Sequence, residues 1–179
     1  MSSVSRPLFL TTTDIRSSKA HQLHVNANTE ATFWFPKSNT QFRIAGLTYL
    51  LPQPSHPWHA NFPWDVLSGG EDKGIDWDLE RLKVFDNISG YLRATFARPL
   101  PGSSMESYDE ANNWPVTIPK CLEGECEEQL RNIEIALSNF ALVVMEPTEV
   151  DLLELGPIPN RRTTWTKKSK EWEESIVVP

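Results

Sequence analysis

Two short stretches combine residue types that can hold an anion. Thr11, Thr12, Thr13 and Asp14 are followed at once by Arg16, Ser17, Ser18 and Lys19. Hydroxyls, backbone N–H groups at a helix start and a cation together make a phosphate cradle, in which Lys19 supplies the charge. The same residues also suit an ordinary strand end with a helix cap, where Ser and Thr are common. The second stretch holds Gln41 and Arg43. On a strand, positions i and i+2 share a face. An amide there satisfies the donor and acceptor edge of a heterocycle, and a guanidinium pairs with an anion. A plain solvated face is the competing reading. Two further cations stand out. Arg98 lies in ARPLPGSS, where Pro and Gly pin a loop, and Arg162 belongs to an adjacent basic pair, Arg161-Arg162.

Other chemistries find little support. His21 and His24 are three apart, and His56 and His59 lie in a Pro-rich stretch. No carboxylate or Cys accompanies them at ligand spacing, so no metal site is expected. Cys121 and Cys126, in KCLEGECEE, have neither His nor a second Cys pair beside them and read as unpaired thiols on an acidic loop. Ser-His-acid, Gly-rich phosphate-loop and dinucleotide signatures are absent from the sequence.

Composition narrows the partners. The 179 residues carry a formal net charge of −7, and the sequence pI is about 5.1. A general nucleic-acid binder needs a basic face, so no nucleic acid is expected. The few cations suit a small-molecule anion better than a polymer. No apolar run approaches the ~18 residues of a membrane span, and MSSVSRPLFLTTT has too short an apolar core for a secretory signal. The expectation is a cytoplasmic protein without a membrane partner, in one domain over 1–179.

The elements that must position these residues follow from the pattern. Pro7 to Thr13 reads as a strand, Asp14 or Ser17 as the cap of a helix over 18–25, and Ala20 and Leu23 as its inward residues. Ala31–Phe35 and Gln41–Leu51 read as a hairpin around Pro36-Lys-Ser-Asn, with Gly46 marking a bulge. Four prolines at 52, 54, 57 and 63 forbid a continuous helix in the following stretch, apart from a short one over 63–67. Asp76 to Asn87 reads as a helix with Leu79, Leu82, Val84 and Phe85 as its apolar stripe, and Ser89 caps a shorter helix. Cys121 to Arg131 reads as an acidic helix. Strands are expected over 139–147, 150–155, 161–167 and 172–178. Strands with one helix, a helical middle and then strands predict a mainly β, α+β fold with an antiparallel sheet or barrel and peripheral helices.

The run T-x-I-R-S-x-K at Thr13–Lys19, followed by Q-x-R-I-x-G at Gln41–Gly46, resembles the pyridoxamine 5′-phosphate oxidase-like flavoproteins, in particular the fungal and plant branch with the FMN-binding domain. ARPLPGSS and NRRTTWT…EWEESIVVP resemble later segments of the same family, in the same order. The resemblance implies an antiparallel FMN-binding split β-barrel, a homodimer with FMN at the subunit interface, and oxidoreductase chemistry on a small-molecule substrate that it leaves unassigned. Carried over by position, it sets Thr12 and Thr13 against the flavin and Ser18 and Lys19 on its phosphate. It gives Gln41 a hydrogen bond to the isoalloxazine ring, Arg162 a flavin contact and Arg98 the substrate's phosphate. It also implies an earlier strand with a flavin-phosphate arginine. Only MSSVSRPLF precedes the Thr-bearing strand and Arg6 does not fit that pattern, so the expectation is a chain lacking that first strand region. DLLELGPIP and IPNRR also depart from the oxidases, which leaves a second reading: a non-enzymatic split-barrel dimer that has lost productive flavin binding.

Overall fold

The structure, a computed structural model, describes residues 7–67, 74–169 and 171–179; Arg6 lies outside them. The chain forms two compact units. One contains Leu10–Val25 and Tyr49–Val144; the other contains Pro7–Phe9, Asn26–Thr48 and Met145–Pro179.

The first unit carries β1 (Phe9–Asp14), from Leu10 on, and α1 (Ser18–Val25). The helix starts where expected because the Ser17 hydroxyl accepts the Ala20 N–H at 3.2 Å, an N-cap bond. Asp14 does not cap it; both carboxylate oxygens are taken by Arg16. β1 pairs with β4 (Phe140–Glu154), and the Ile15 N–H donates to the Asn139 carbonyl at 2.8 Å. Ile15, Ala20, Leu50, Ala141 and Val143 form one buried cluster, with Leu23 and Trp58 packed on it.

The helices α2 (Trp64–Leu67), α3 (Trp77–Asn87), α4 (Gly90–Thr95) and α5 (Glu127–Asn139) belong to the same unit. Asp76 caps α3 by accepting the Leu79 N–H, and Ser89 caps α4 by accepting the Leu92 N–H. The apolar stripe expected on α3 holds in part: Phe85 is buried and Val84 packs against its cluster, but Leu79 and Leu82 are exposed, and Trp77 and Arg81 complete the buried face. A guanidinium replaces an aliphatic side chain there because Arg81 Nη2 donates to the carbonyls of Leu137 (2.5 Å) and Phe140 (2.9 Å), closing the end of α5. Burial lowers the Arg81 pKa to about 10, with Asp78 and Cys121 opposing the shift. The acidic helix also moves: α5 runs over 127–139, not 121–131, and turns occupy Cys121 and Leu122. Phe85, Phe96, Ile118, Ile133 and Phe140 make the second core cluster.

The second unit is built on a sheet in the order β2-β3-β4-β5-β6. β2 (Asn28–Phe35) and β3 (Thr40–Leu51) pair antiparallel without a slip from Asn28↔Leu47 to Phe35↔Thr40. Asn39, at φ 50, lets the hairpin turn close. The bulge expected at Gly46 is therefore corrected. Ile44, Gly46 and Thr48 are buried on one face, and Gly46 is glycine because a Cβ would lie 2.1 Å from the Glu146 carbonyl oxygen. The two strands expected over 139–155 are one strand, β4, which passes Pro147 without ending. β5 (Arg161–Lys168) pairs with β4 and with β6 (Glu171–Val177). The expected mainly β, α+β fold with an antiparallel sheet and peripheral helices is borne out.

Candidate functional site

Local register decides what meets what. In the second unit, Gln41 and Arg43 on β3 line one pocket with Asp151 and Leu153 on β4, Arg162 on β5 and Pro179. The i, i+2 reading of Gln41 and Arg43 holds, since Arg43 Nε donates to Gln41 Oε1 at 3.2 Å. Arg162 is committed elsewhere. Its Nε and Nη2 donate to the two carboxylate oxygens of Asp151 at 3.0 and 2.8 Å. Those hydrogen bonds, and then the Asp151 charge, raise the Arg162 pKa further above its ordinary value. The bidentate pair is locally neutral and rigid. Arg43, in contrast, has no carboxylate partner among the described residues, and its side chain is exposed. The pocket thus offers an amide with its N–H₂ free to donate and a guanidinium with free donors.

In the first unit, Thr13 is buried and Thr12 half-buried at the end of β1. The Thr13 hydroxyl lies 3.4 Å from the Ser17 hydroxyl, which itself donates to the Asp14 carbonyl at 2.7 Å. Ser18 and Lys19 are exposed in the first turn of α1. Their backbone N–H groups have no partner among the described residues, and Lys19 makes no ion pair there. Arg98 is tied down by its loop: its Nε and Nη2 donate to the Pro115 carbonyl at 3.3 and 3.2 Å. Its own carbonyl accepts from Arg16 Nη2 at 3.1 Å. Thr12, Thr13, Ser18, Lys19 and Arg98 therefore belong to the first unit, and Gln41 and Arg162 to the second.

Sequence reasoning did not carry Asp151 into the site. Asp151 was legible as the one acid at an inward position of an apolar strand, VDLLEL. The histidines form no metal centre: no group of three His, Cys, Asp or Glu among the described residues is placed to hold an ion. Three of them instead surround Trp58, with His24 stacked on it at 4.0 Å and His21 and His56 edge-on.

Residues 2–52 match the family model described as pyridoxamine 5′-phosphate oxidase, FMN-binding domain. The resemblance seen in Thr13–Lys19 and Gln41–Gly46 is borne out over that segment. Among solved structures, a pyridoxamine 5′-phosphate oxidase-related, FMN-binding protein from Nostoc punctiforme is similar to the chain. It superposes with a TM-score of 0.69 at 24% identity, over 96% of this chain and 73% of that one. PhzG from Burkholderia lata, solved with tetrahydrophenazine-1-carboxylic acid, superposes with a TM-score of 0.60 at 14% identity, over 99% of this chain and 72% of that one. These likenesses are likenesses of fold, in keeping with the expected split β-barrel. No curated protein sequence matches the chain. No helix among the described residues is long and apolar enough to cross a membrane.

Proposed function

We propose that the protein is an FMN-binding flavoprotein of the pyridoxamine-phosphate-oxidase-like class, a cytoplasmic, homodimeric oxidoreductase acting on a small-molecule substrate. The observation that carries this reading is the first turn of α1, inside the matched segment. Ser18 and Lys19 present a hydroxyl, an ammonium and two free backbone N–H groups to solvent at a capped helix start. That donor set fits a phosphate group.

In this reading Ser18 and Lys19 hold the FMN phosphate, and Thr12 and Thr13 lie against the flavin. Thr13 is fixed by its neighbour Ser17, so β1 presents a rigid edge. The Gln41 N–H₂ donates to an acceptor on the flavin ring, with Arg43 holding its carbonyl oxygen away. Arg162, oriented by Asp151, contacts the flavin without adding net charge. Arg98 faces the anionic group of the substrate, its loop held by Arg16. FMN, when bound, supplies two-electron transfer; the protein supplies anchoring, orientation and electrostatics.

The test is colour. Purified protein incubated with FMN and desalted is expected to retain the flavin absorption bands. Lys19→Ala and Gln41→Ala are each expected to weaken FMN binding by about tenfold or more, the loss of one good charge-assisted or amide contact. Protein that stays colourless and takes up no added FMN would refute the reading.

A further inference from the structure

The buried face of α3 holds two hydrogen-bond donors that lack an acceptor. Trp77 and Arg81 are each 3% exposed. They lie four residues apart, one turn of the helix, on the same face. The indole Nε1–H of Trp77 and the guanidinium Nε–H of Arg81 are both buried without a hydrogen-bond partner among the described residues. Buried polar groups are ordinarily paired, because an open donor has lost its water and gained nothing in return. The side chains of Trp and Arg only donate, so the partner that both lack is an acceptor.

The same place carries a charge without a counter-charge. Arg81 Nη2 donates to the Leu137 and Phe140 carbonyls, and the guanidinium carbon lies 5.4 Å from the centre of the Phe140 ring. None of these is an anion. Among the described residues Arg81 forms no ion pair. Asp78, whose charge reaches it, is 40% exposed and is bonded to His59 Nε2 at 3.0 Å. Phe62 packs edge-on to Trp77, with ring centroids 5.6 Å apart, and Phe85 continues the buried face. A guanidinium set among aromatic rings is costly unless an anion accompanies it. A water molecule would accept from both donors, but it brings two hydrogens that need acceptors, and no charge. Phosphate or sulfate would bury oxygens that two donors cannot serve. A halide accepts from both, needs no acceptor and cancels the charge.

We propose that α3 carries a buried halide site, in which one chloride ion accepts the Trp77 Nε1–H and the Arg81 Nε–H. The ion neutralises the guanidinium that ties the end of α5 to α3, so chloride binds the folded chain and stabilises it. The site uses no residue of the flavin reading, and its test needs no flavin.

Two measurements on the full chain test it. In urea denaturation at constant ionic strength, with sodium chloride replacing sodium gluconate, the midpoint is expected to rise with chloride as it does when one ion binds each folded chain. Trp77→Phe keeps a ring against Phe62 and removes the indole N–H. It is expected to raise the chloride dissociation constant from that series by about tenfold or more. Trp34→Phe, at an exposed indole, is expected to keep the parent's chloride dependence. In crystals grown with sodium bromide, an anomalous peak is expected within hydrogen-bond distance of both nitrogens. The proposal is overturned if the midpoint is no higher in chloride than in gluconate, if Trp77→Phe responds to chloride as the parent does, or if the crystal shows a water there and no anomalous peak. A bromide peak without chloride-dependent stability means binding at crystal concentration only, and overturns it as well. If Trp77→Phe does not fold, the chloride series and the bromide crystal of the parent decide between these outcomes.

Discussion

At the scale of single residues, one histidine links the protein's stability to pH. His56 is the N-cap of the 3-10 turn Pro57–Asn61, and its Nδ1 accepts the Trp58 N–H at 3.1 Å. That role needs an unprotonated Nδ1, so the imidazolium cannot cap. Burial, and then the nearby His24, lower the His56 pKa below its ordinary 6.5. The unfolded chain then binds more protons than the folded one just below pH 6.5, so stability falls as the pH drops through that window and levels off below the folded value. His56→Asn keeps an acceptor at the cap and removes the titration. In urea denaturation, the parent is expected to lose about 0.5–1 kcal/mol between about pH 7.5 and 5, the value of one partly solvated cap. The Asn variant is expected to lose less than half of that, and an equal loss would show that the cap is not the titrating element. The site was half legible at this scale. Gln41 and Arg43 could be placed on one face because strand periodicity is local. The fate of Arg162 could not be read, since its partner Asp151 comes from another strand and only cross-strand register brings them together.

At the scale of elements, the sequence errs where a long-range contact outweighs local preference. The N-caps Asp76 and Ser89, the helix over 18–25 and the hairpin turn are all set by neighbours a few residues away, and they stand where the pattern put them. α3 differs because its buried face includes Arg81, a residue that looks solvent-facing until the carbonyls at the end of α5 are seen. Gly46 differs for the same kind of reason. It sits in an unbroken ladder, and what excludes a side chain there is the backbone of β4: the Glu146 oxygen at 2.1 Å, with the Glu146 carbonyl carbon and Pro147 Cα each at 2.9 Å from a built Cβ. Backbone atoms cannot swing aside as a side-chain tip does. Gly46→Ala is therefore expected to destabilise the protein by about 3 kcal/mol, at the upper end of overpacking costs. The change should appear as a lower urea midpoint with an unchanged slope. A variant as stable as the parent would mean that β3 and β4 stand further apart than described.

At the scale of the whole molecule, the remaining question is what covers β2. Among the described residues it is an edge strand of its sheet, which leaves one row of its backbone groups open there. Its end carries Phe33 and Phe35, exposed at 43% and 49%, on the face opposite Trp34. Phe42, paired with Phe33, packs edge-on to Phe35 with ring centroids 5.8 Å apart, so the three rings form one apolar patch. A monomer gains nothing by presenting that patch beside an open strand edge, whereas a second copy would bury it. The homodimer of the flavoprotein reading is therefore expected to use this end of the hairpin. Sedimentation velocity is expected to find a dimer for the parent chain and a shift of at least about tenfold in the dimer dissociation constant for Phe35→Glu, since a carboxylate would be desolvated at the interface. Trp34→Ala, on the other face, is expected to leave the dimer intact. If Phe35→Glu sediments exactly as the parent does, the contact between copies lies elsewhere on the molecule; if the parent itself is monomeric at high concentration, the dimer is refuted, and the ligand face of the hairpin must work within one chain.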